Sequence, residues 1–204
     1  MIKCIMQESK FISNTPSRSF FNTLVENLQN CSEFKISVAF ITYGGLQVLL
    51  DTLKLLEEQN IPGEILTTTY QNMTTPEVLK RLSEFKNIKL KIYVPPTKDD
   101  GFHAKGYLFR KHYENENEQW TIIIGSSNIT GRALKTNIEW NVLQNEKTSE
   151  LQEPGEFSKS VLDEFETLWK SPWAKEYSDS FLISYRDYLS KIKQTLKAKN
   201  LSET

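Results

Sequence analysis

Cysteine, histidine and long apolar runs are scarce in this chain. Its 204 residues include two cysteines, Cys4 and Cys31, which lie outside any CxxC spacing, and two histidines, His103 and His112. This pattern argues against a disulfide framework and against a zinc site, and we expect reduced thiols in a cytoplasmic protein. No apolar run is long enough to span a membrane, and the first residues lack the apolar core of a secretory signal.

The chain also lacks an excess of charge of either sign. Lys and Arg number 25 against 26 acidic residues, so the formal net charge is −1. This balance argues against a uniformly basic nucleic-acid-binding coat, although it permits a local basic site. The acidic residues do not form the clusters expected of a two-metal nuclease. We therefore predict neither a metal nor a cofactor.

What the sequence does contain is an alternation of strand and helix patterns. Amphipathic helical segments alternate with short strands rich in β-branched residues, which predicts an α/β protein. The expected fold is a three-layer α/β/α sandwich with a mixed, largely parallel central sheet, to which adjacent strands in the second half can add antiparallel pairs. We assign this domain to residues 1–175. Residues 176–204 are predicted to form a C-terminal helix, which would link to a following domain.

One strand-like segment, GFHAKGYLF at residues 101–109, carries an imidazole and an ammonium two positions apart. In an extended strand, residues i and i+2 point to the same face, about 6–7 Å apart. We therefore expect His103 and Lys105 to lie side by side. A lone histidine in a strand is more often structural than catalytic, so the interpretation depends on what else the chain brings to this position.

Two further segments supply the remaining groups. In IIIGSSNITGRAL a buried-type strand ends at Gly125 and continues into Ser126, Ser127 and Asn128, and in KTNIEWNV a strand carries Glu139. Glycine allows close backbone approach, and hydroxyl, amide and backbone N–H groups suit an anion. A metal-free phosphodiester site needs such donors for the phosphate oxygens, a nucleophile, and a carboxylate beside the imidazole.

The same segments resemble a known superfamily. HAK followed by GSSN is similar to the HxK and GSxN halves of the phospholipase D superfamily motif, and the spacing to the NIEWN glutamate resembles its single-motif nuclease branch. ILTTTYQNMTTPEVLKRL, FHAKGYLF and IIIGSSNITGRALKTNIEWNV further resemble the phospholipase D-like domain at the N-terminus of some bacterial superfamily II DNA helicases. The resemblance covers residues 17–143, and HxK, GSSN and NxEWN in this order are fairly specific.

The resemblance implies a role for each matching residue. His103 would be the nucleophile and form a phosphohistidine, while Lys105 and Asn128 would hold phosphate oxygens. Ser126 would assist, and Glu139 would orient the imidazole. The branch also implies a homodimer with a shared site, in which His103 of a second subunit protonates the leaving group. The implied substrate is DNA, as for the nuclease module of a helicase or restriction-type system.

One position departs from the family pattern. The common motif has an aspartate five residues after the lysine, where this chain has Arg110. A strand side chain at that odd offset from Lys105 points to the other face of the sheet, so Arg110 is not expected to replace the aspartate. The change makes weakened or lost activity a real alternative.

Four other residues are candidates for contact with the substrate. Thr69 and Tyr70 end a predicted strand at the edge where a parallel sheet usually presents its ligand site, although β-propensity alone explains them equally well. Ser127 is as consistent with a cap as with a phosphate contact, and Arg132 with an ordinary surface arginine.

Three functions compete on this evidence. The first is a metal-independent phosphodiesterase acting on DNA, and the second is a non-catalytic module for nucleic-acid binding or dimerisation with the same fold. The four-residue set of His103, Lys105, Asn128 and Glu139 favours the enzyme, whereas Arg110 and the neutral charge balance favour the second function. Lipid hydrolysis is the weakest of the three, because no second HxK motif and no apolar membrane-binding helix are evident.

Overall fold

Eight strands and six helices form the part of the chain that the structure, a computed structural model, describes: residues 6–97, 101–113, 118–148 and 154–202. The strands are β1 (Met6–Ile12), β2 (Glu33–Val38), β3 (Gly63–Thr68), β4 (Ile88–Tyr93), β5 (Lys105–His112), β6 (Glu118–Gly125), β7 (Asn141–Thr148) and β8 (Ala174–Glu176). The helices are α1 (Phe20–Asn30), α2 (Tyr43–Glu58), α3 (Pro76–Ser83), α4 (Gly131–Lys135), α5 (Glu156–Lys170) and α6 (Asp179–Ser202), and a short 3₁₀ turn, Tyr70–Asn72, follows β3.

The helices begin where side chains can satisfy their free N–H groups. Ser19, Thr42 and Thr130 each accept a hydrogen bond from a backbone N–H in the first turn of α1, α2 and α4. Pro76 occupies the first turn of α3, where its missing N–H costs no helical hydrogen bond. These residues therefore fix where α1, α2, α3 and α4 begin.

All eight strands belong to one mixed sheet, in the order β1-β7-β6-β5-β2-β3-β4-β8. The α/β class and the mixed sheet are confirmed, but the expectation of mainly parallel pairing is corrected. Only the β2–β3 and β3–β4 pairs are parallel, and the other five neighbouring pairs are antiparallel. For β5 and β6 the reason is the short connection from His112 to Glu118, which leaves no room for a crossover helix and makes this pair antiparallel.

Side chains alternate between the two faces of the sheet and define two cores. Ile65 packs into the larger core on one face, whereas Leu66 packs into the smaller core on the other face. The larger core contains buried residues of α1, α2, α3 and α6, and the smaller core contains Phe165 and Trp169 of α5. The sheet is therefore the middle layer of a three-layer α/β/α sandwich.

Two terminal elements join this sandwich in ways that the pattern analysis did not anticipate. β1 pairs with β7 at the edge of the sheet, although no strand was predicted there. Leu182 and Tyr185 of α6 are buried in the larger core, so the first half of this helix packs on the domain. No helix within the described ranges is long and apolar enough to cross a membrane.

Candidate active site

His103 and Lys105 are in direct contact at the side of the sheet where β2, β3 and β4 end and β5 begins. Lys105 is the first residue of β5 and is only 8% exposed, while His103 lies in the irregular segment just before the strand. The Lys105 Nζ atom lies 2.9 Å from His103 Nδ1 and donates a second hydrogen bond, of 2.7 Å, to the His103 carbonyl oxygen. The two side chains therefore meet as expected, although the strand begins later than the pattern suggested.

The electrostatics of this pair favour a neutral imidazole. Partial burial and the neighbouring Lys105 ammonium lower the pKa of His103 below its ordinary value. Burial also lowers the pKa of Lys105, an effect that the Glu139 carboxylate opposes through space. A neutral imidazole with a free nitrogen can act as a nucleophile, which a charged imidazolium cannot.

Phe40 connects His103 to Asn128, and its role was not predicted. The Phe40 ring packs edge-on against the imidazole at a centroid distance of 5.8 Å. Its backbone N–H donates to Asn128 Oδ1 at 3.0 Å, and its carbonyl accepts from the Ile129 N–H at 3.1 Å. The preceding Ala39 N–H donates to the Ala104 carbonyl at 3.0 Å. The segment after β2 therefore lies between the HxK segment and the GSSN segment and is hydrogen-bonded to both.

The hydrogen bond from Phe40 also fixes which way the Asn128 amide faces. Because Oδ1 accepts from a backbone N–H, the Nδ2 group is left as the outward donor. Within the described ranges, this Nδ2 group donates to no protein acceptor. An amide oriented in this way is suited to a phosphate oxygen.

The GSSN turn is joined to the start of β7 by Ser126. Its hydroxyl donates to Glu139 Oε2 and accepts from the Trp140 N–H at 3.0 Å, and its own N–H donates to the Trp140 carbonyl at 3.0 Å. A Cβ on Gly125 would lie 2.3 Å from that carbonyl, so only glycine permits this approach. Ser126 and Glu139 are consequently one unit at the edge of the site.

Glu139 lies just outside the strand to which it was assigned, because β7 begins at Asn141. Its carboxylate accepts from Ser126 Oγ and, at 3.4 Å, from Asn137 Nδ2. No hydrogen bond among the described residues joins it to His103. Its charge nevertheless contributes to raising the pKa of the buried Tyr107 and acts on Lys105. Glu139 therefore influences the site through its field in this arrangement.

Ser127 requires a correction, because it cannot touch a substrate. Its side chain is 0% exposed, and its Oγ accepts a 2.9 Å hydrogen bond from Asn141 Nδ2. Its carbonyl accepts from the buried Tyr107 hydroxyl at 2.8 Å. Ser127 thus anchors the turn from beneath, together with Asn141, whose position two residues after Glu139 gave no signal beyond the NxEWN pattern.

Arg110 lies on the opposite face of the sheet from Lys105, as the strand alternation predicts. Its Nε donates to the carboxylate of the buried Glu118 at 3.1 Å, and its Nη1 lies 3.5 Å from Glu33. His112, interpreted as merely exposed, has Nδ1 3.2 Å from the same Glu118. Arg110 is therefore part of an ion-pair cluster at the far end of the β5–β6 pair.

The remaining predicted contact residues are spread around the edge of the sheet. Thr69 and Tyr70 line a cavity against α6, described below, and Arg132 is exposed on α4. No group of three or more His, Cys, Asp or Glu side chains within the described ranges is arranged to hold a metal ion. The groups that the structure brings together are His103, Lys105, Asn128, Ser126 and Glu139.

Comparison with known proteins identifies the family to which the chain belongs. Residues 24–169 match the family model described as cardiolipin synthase, PLD-like domain. The chain belongs to this PLD-like family, and the superfamily suggested by the motifs is confirmed. A search of curated protein sequences gives no significant match.

Solved structures give the same PLD-like fold at low sequence identity. NucT from Helicobacter pylori matches with a TM-score of 0.59 and 14% identity, over 84% of this chain and 100% of that chain. Nuc from Salmonella typhimurium, a phospholipase D family member, matches with a TM-score of 0.59 and 13% identity, over 85% and 100%. The phosphatidylserine synthase of Haemophilus influenzae Rd KW20 has a TM-score of 0.60 and 12% identity, with 97% of this chain but 47% of that chain covered.

Proposed function

We propose that this PLD-like chain is a metal-independent phosphodiesterase that cleaves DNA through a phosphohistidine on His103. The observation that carries the proposal is the 2.9 Å contact between Lys105 Nζ and His103 Nδ1 beside the outward amide of Asn128. A nucleophile and two fixed donors for phosphate oxygens thereby share one edge of the sheet. Such donors stabilise the charge that builds up on the phosphoryl oxygens without a metal.

The contact with Lys105 suggests how a bound phosphate would activate the imidazole. A charged ammonium that donates to Nδ1 favours the neutral tautomer with its proton on Nε2. Attack by Nε2 therefore requires the ammonium to leave Nδ1 and the ring proton to move there. A phosphate oxygen that takes over the Lys105 hydrogen bonds would release Nδ1, so that substrate binding and activation of His103 are one event.

The chemical steps then balance without a further reagent. The imidazole nitrogen forms a bond to phosphorus, the bond from phosphorus to the leaving oxygen breaks, and an acid protonates that oxygen. Water afterwards hydrolyses the phosphohistidine and restores the free imidazole. Glu139, whose charge already acts on Lys105, would stabilise the positive charge on the phosphorylated ring, and Ser126 would hold Glu139 in place.

The acid for the leaving group is proposed to be His103 of the partner subunit in a homodimer. One imidazole cannot be nucleophile and acid in the same step, and the chain has a single HxK motif. His112, the other histidine, sits beside Glu118 at the far end of β5. A two-fold axis that passes close to His103 would bring the two imidazoles into one cleft.

An exposed apolar surface next to the site supports this assembly. Large apolar side chains are exposed on strands β1, β6 and β7 and on the loop before β7. In that loop, Ile138 is 89% exposed and Trp140 is 69% exposed. We call this the β7 patch; it comprises Phe11, Ile124, Ile138, Trp140 and Val142. Phe11 and Trp140 are in edge-to-face contact at 5.7 Å, and Val142 pairs with both Phe11 and Ile124. Contiguous exposed apolar surface of this kind marks interaction sites.

The alternative function is a non-catalytic module that binds nucleic acid or dimerises through the same surfaces. Two observations favour it. Lys105 Nζ lies 2.9 Å from His103 Nδ1, and Arg110, at the position of the motif aspartate, pairs with Glu118 and Glu33. The main proposal also includes the DNA preference, the helicase or restriction-type context and the cytoplasmic location.

A cleavage assay in EDTA separates the two functions. End-labelled DNA, in single-stranded and duplex form, is incubated with the purified protein in excess EDTA, and both products and an acid-labile protein–phosphate adduct are measured. We expect cleavage and the adduct with the wild type, and neither with His103→Ala. Binding without cleavage or adduct would establish the alternative, and cleavage that requires magnesium would refute a metal-independent reaction.

A further inference from the structure

A cavity of about 610 Å³ opens between the 3₁₀ turn after β3, the segment after β4 and helix α6. Its volume falls within the range of ~300–1,000 Å³ that is typical of small-molecule sites. Tyr70, Pro95, Phe181 and Tyr188 supply flat apolar surface to its walls. This lining suits a planar ring, because aromatic faces stack on aromatic faces.

Among the described lining residues, the polar groups are amides and hydroxyls. Gln71, Asn72 and Ser184 contribute to the wall, and none of the described lining residues is charged. A phosphate would need cations, whereas side-chain amides form paired donor and acceptor contacts with the edges of nucleobases. The lining therefore favours an uncharged heterocycle over an anion.

A hydrogen bond joins two walls of the cavity, and one of its rings is exposed. The Tyr185 hydroxyl donates to the Thr74 carbonyl at 3.0 Å and ties α6 to the segment after the 3₁₀ turn. Gln71 and Asn72 both adopt φ of 56°, and this left-handed turn places both residues at the cavity. Tyr188, one helical turn beyond Tyr185, is 53% exposed. The exposed Tyr188 ring is available for stacking.

This cavity lies along the same edge of the sheet as His103. Lys105 pairs with Val38, Val38 is level with Thr67, and Thr67 pairs with Ile92, so one row crosses β5, β2, β3 and β4. Neighbouring strands are ~4.8 Å apart, so the row spans about 14 Å. His103 lies beyond the β5 end of this row. The cavity is lined by the segments that come directly after β3 and β4 in the chain. A strand with ~3.4 Å between stacked nucleotides covers this distance within a few nucleotides.

We propose that the cavity binds an unpaired nucleobase of the DNA strand whose phosphate lies at His103. The base would stack on Tyr188, and the amides of Gln71 and Asn72 would contact its edge. A base inside a duplex cannot enter such a cavity without being unpaired, so the substrate is single-stranded or locally melted DNA. The inference rests on the proposed function for the placement of the phosphate and adds the strand state of the substrate.

Equilibrium binding tests the cavity independently of cleavage. Fluorescence anisotropy measures the Kd of a labelled oligodeoxythymidine and of a duplex of mixed sequence in EDTA, on a His103→Ala background so that no product forms. We expect Tyr188→Ala to weaken single-strand binding about 5- to 100-fold, the range for loss of one stacked base, and to leave duplex binding unchanged. Tyr188→Phe should restore binding because it keeps the ring. Tyr113→Ala, at the far end of β5, is the matched control.

Two position-specific measurements identify the nucleotide concerned. Abasic substitutions are scanned along the oligonucleotide, and one position should weaken binding by the wild-type cavity but cause no further loss in Tyr188→Ala. A 5-iododeoxyuridine at that position should crosslink to a cavity tyrosine on irradiation. When the wild-type protein cleaves the same oligonucleotide, this position should lie a constant number of nucleotides from the cleaved bond.

Each outcome decides the inference separately from the proposed function. Equal single-strand affinity of the His103→Ala protein with and without Tyr188→Ala overturns the cavity site even if the wild type cleaves DNA. Equal weakening on single strands and duplex overturns it as well. A Tyr188-dependent single-strand affinity without cleavage supports the cavity site while the catalytic proposal fails. Loss of self-association in Tyr188→Ala with unchanged DNA affinity would assign the cavity to a second copy of the chain and overturn the inference.

Discussion

The backbone N–H of Phe40 donates a 3.0 Å hydrogen bond to Asn128 Oδ1, across 88 residues of sequence. Because the Phe40 ring also packs on the His103 imidazole, the end of β2 sets the position of both motif segments. The orientation of the Asn128 amide is thus determined by a residue that carries no reactive group. This arrangement allows the structural and chemical roles of Asn128 to be separated by two substitutions.

Asn128→Asp should lose activity while keeping stability. The aspartate still accepts from Phe40, but it replaces the outward amide donor with a negative oxygen, so kcat/KM should fall at least about 100-fold. Asn128→Ala should lose activity and also about 1 kcal/mol of unfolding free energy, because the Phe40 N–H loses its acceptor. Urea unfolding and EDTA cleavage rates measure the two effects, with Asn22→Asp on α1 as the control. Equal activity of Asn128→Asp and the wild type would exclude a phosphate contact.

Lys105→Met should raise the pKa of His103 and reduce cleavage. The ammonium is one of the two causes that lower this pKa, so its removal shifts the titration upward, toward the ordinary value of ~6.5. The loss of a donor to the phosphate should cost about 10²- to 10³-fold in kcat.

NMR titration of the imidazole protons measures the pKa directly, since His112 is the only other histidine and His112→Gln assigns it. Wild-type His103 should titrate below the ordinary value, and Lys89→Met on the exposed side of β4 should leave it there. An unchanged His103 titration in Lys105→Met would show that the two groups are not coupled in solution.

Arg110→Ala should reduce stability and leave the chemistry intact. The buried Glu118, 7% exposed in its side chain, would lose its main cation, and removing one partner of such a pair costs about 2 kcal/mol at this partly exposed position. Urea unfolding measures the loss, and Arg110→Met combined with Glu118→Gln should recover part of it. Arg81→Ala, which breaks an exposed pair with Glu84, should cost well under 1 kcal/mol. A specific loss of cleavage at full stability would instead give Arg110 a part in the site.

Trp140→Arg should convert a dimer into a monomer with little cleavage activity. A charge in the β7 patch opposes burial of the surrounding apolar side chains, and a separated subunit lacks the second imidazole. Light scattering after gel filtration measures the mass, with Trp173→Arg as the control for a surface tryptophan outside the patch.

Mixed subunits test whether the site is shared. When wild-type chains are mixed with a growing fraction of His103→Ala chains and allowed to exchange, activity should fall more steeply than the wild-type fraction. A fall in strict proportion, or a wild-type monomer that cleaves at full rate, would rule out a shared site.

The local parts of the site could be predicted from the sequence because they depend on neighbours in the chain. His103 and Lys105 are two residues apart, and a nearly extended backbone brings them together whether or not the strand starts at His103. Opposite faces for Lys105 and Arg110 follow from the same period-two geometry. The family assignment followed from the order of short motifs, which does not depend on exact strand boundaries.

The non-local parts could not be predicted, because they depend on which strands become neighbours. The pairing of β1 with β7 joins residues more than 120 positions apart, and nothing in MQESKFI specifies that partner. The burial of Ser127 against Asn141 and the bond from Phe40 to Asn128 arise only once the sheet has formed. Serine and asparagine in a turn are equally consistent with capping and with ligand binding, so composition cannot distinguish the two roles.

The reversed direction of β5 within the sheet has a consequence for how this chemistry is built. β2, β3 and β4 run one way and end at the edge that carries the site, whereas β5 runs the other way and begins there. If β5 ran parallel to β2, Lys105 would lie at the opposite end of an eight-residue strand, about 23 Å away along the strand direction. The imidazole would then sit beside the present position of Glu118 and far from Asn128. Chain direction, as much as residue identity, decides that these side chains meet, so a circular permutation that opens the chain at another loop should preserve the site as long as β5 keeps its orientation.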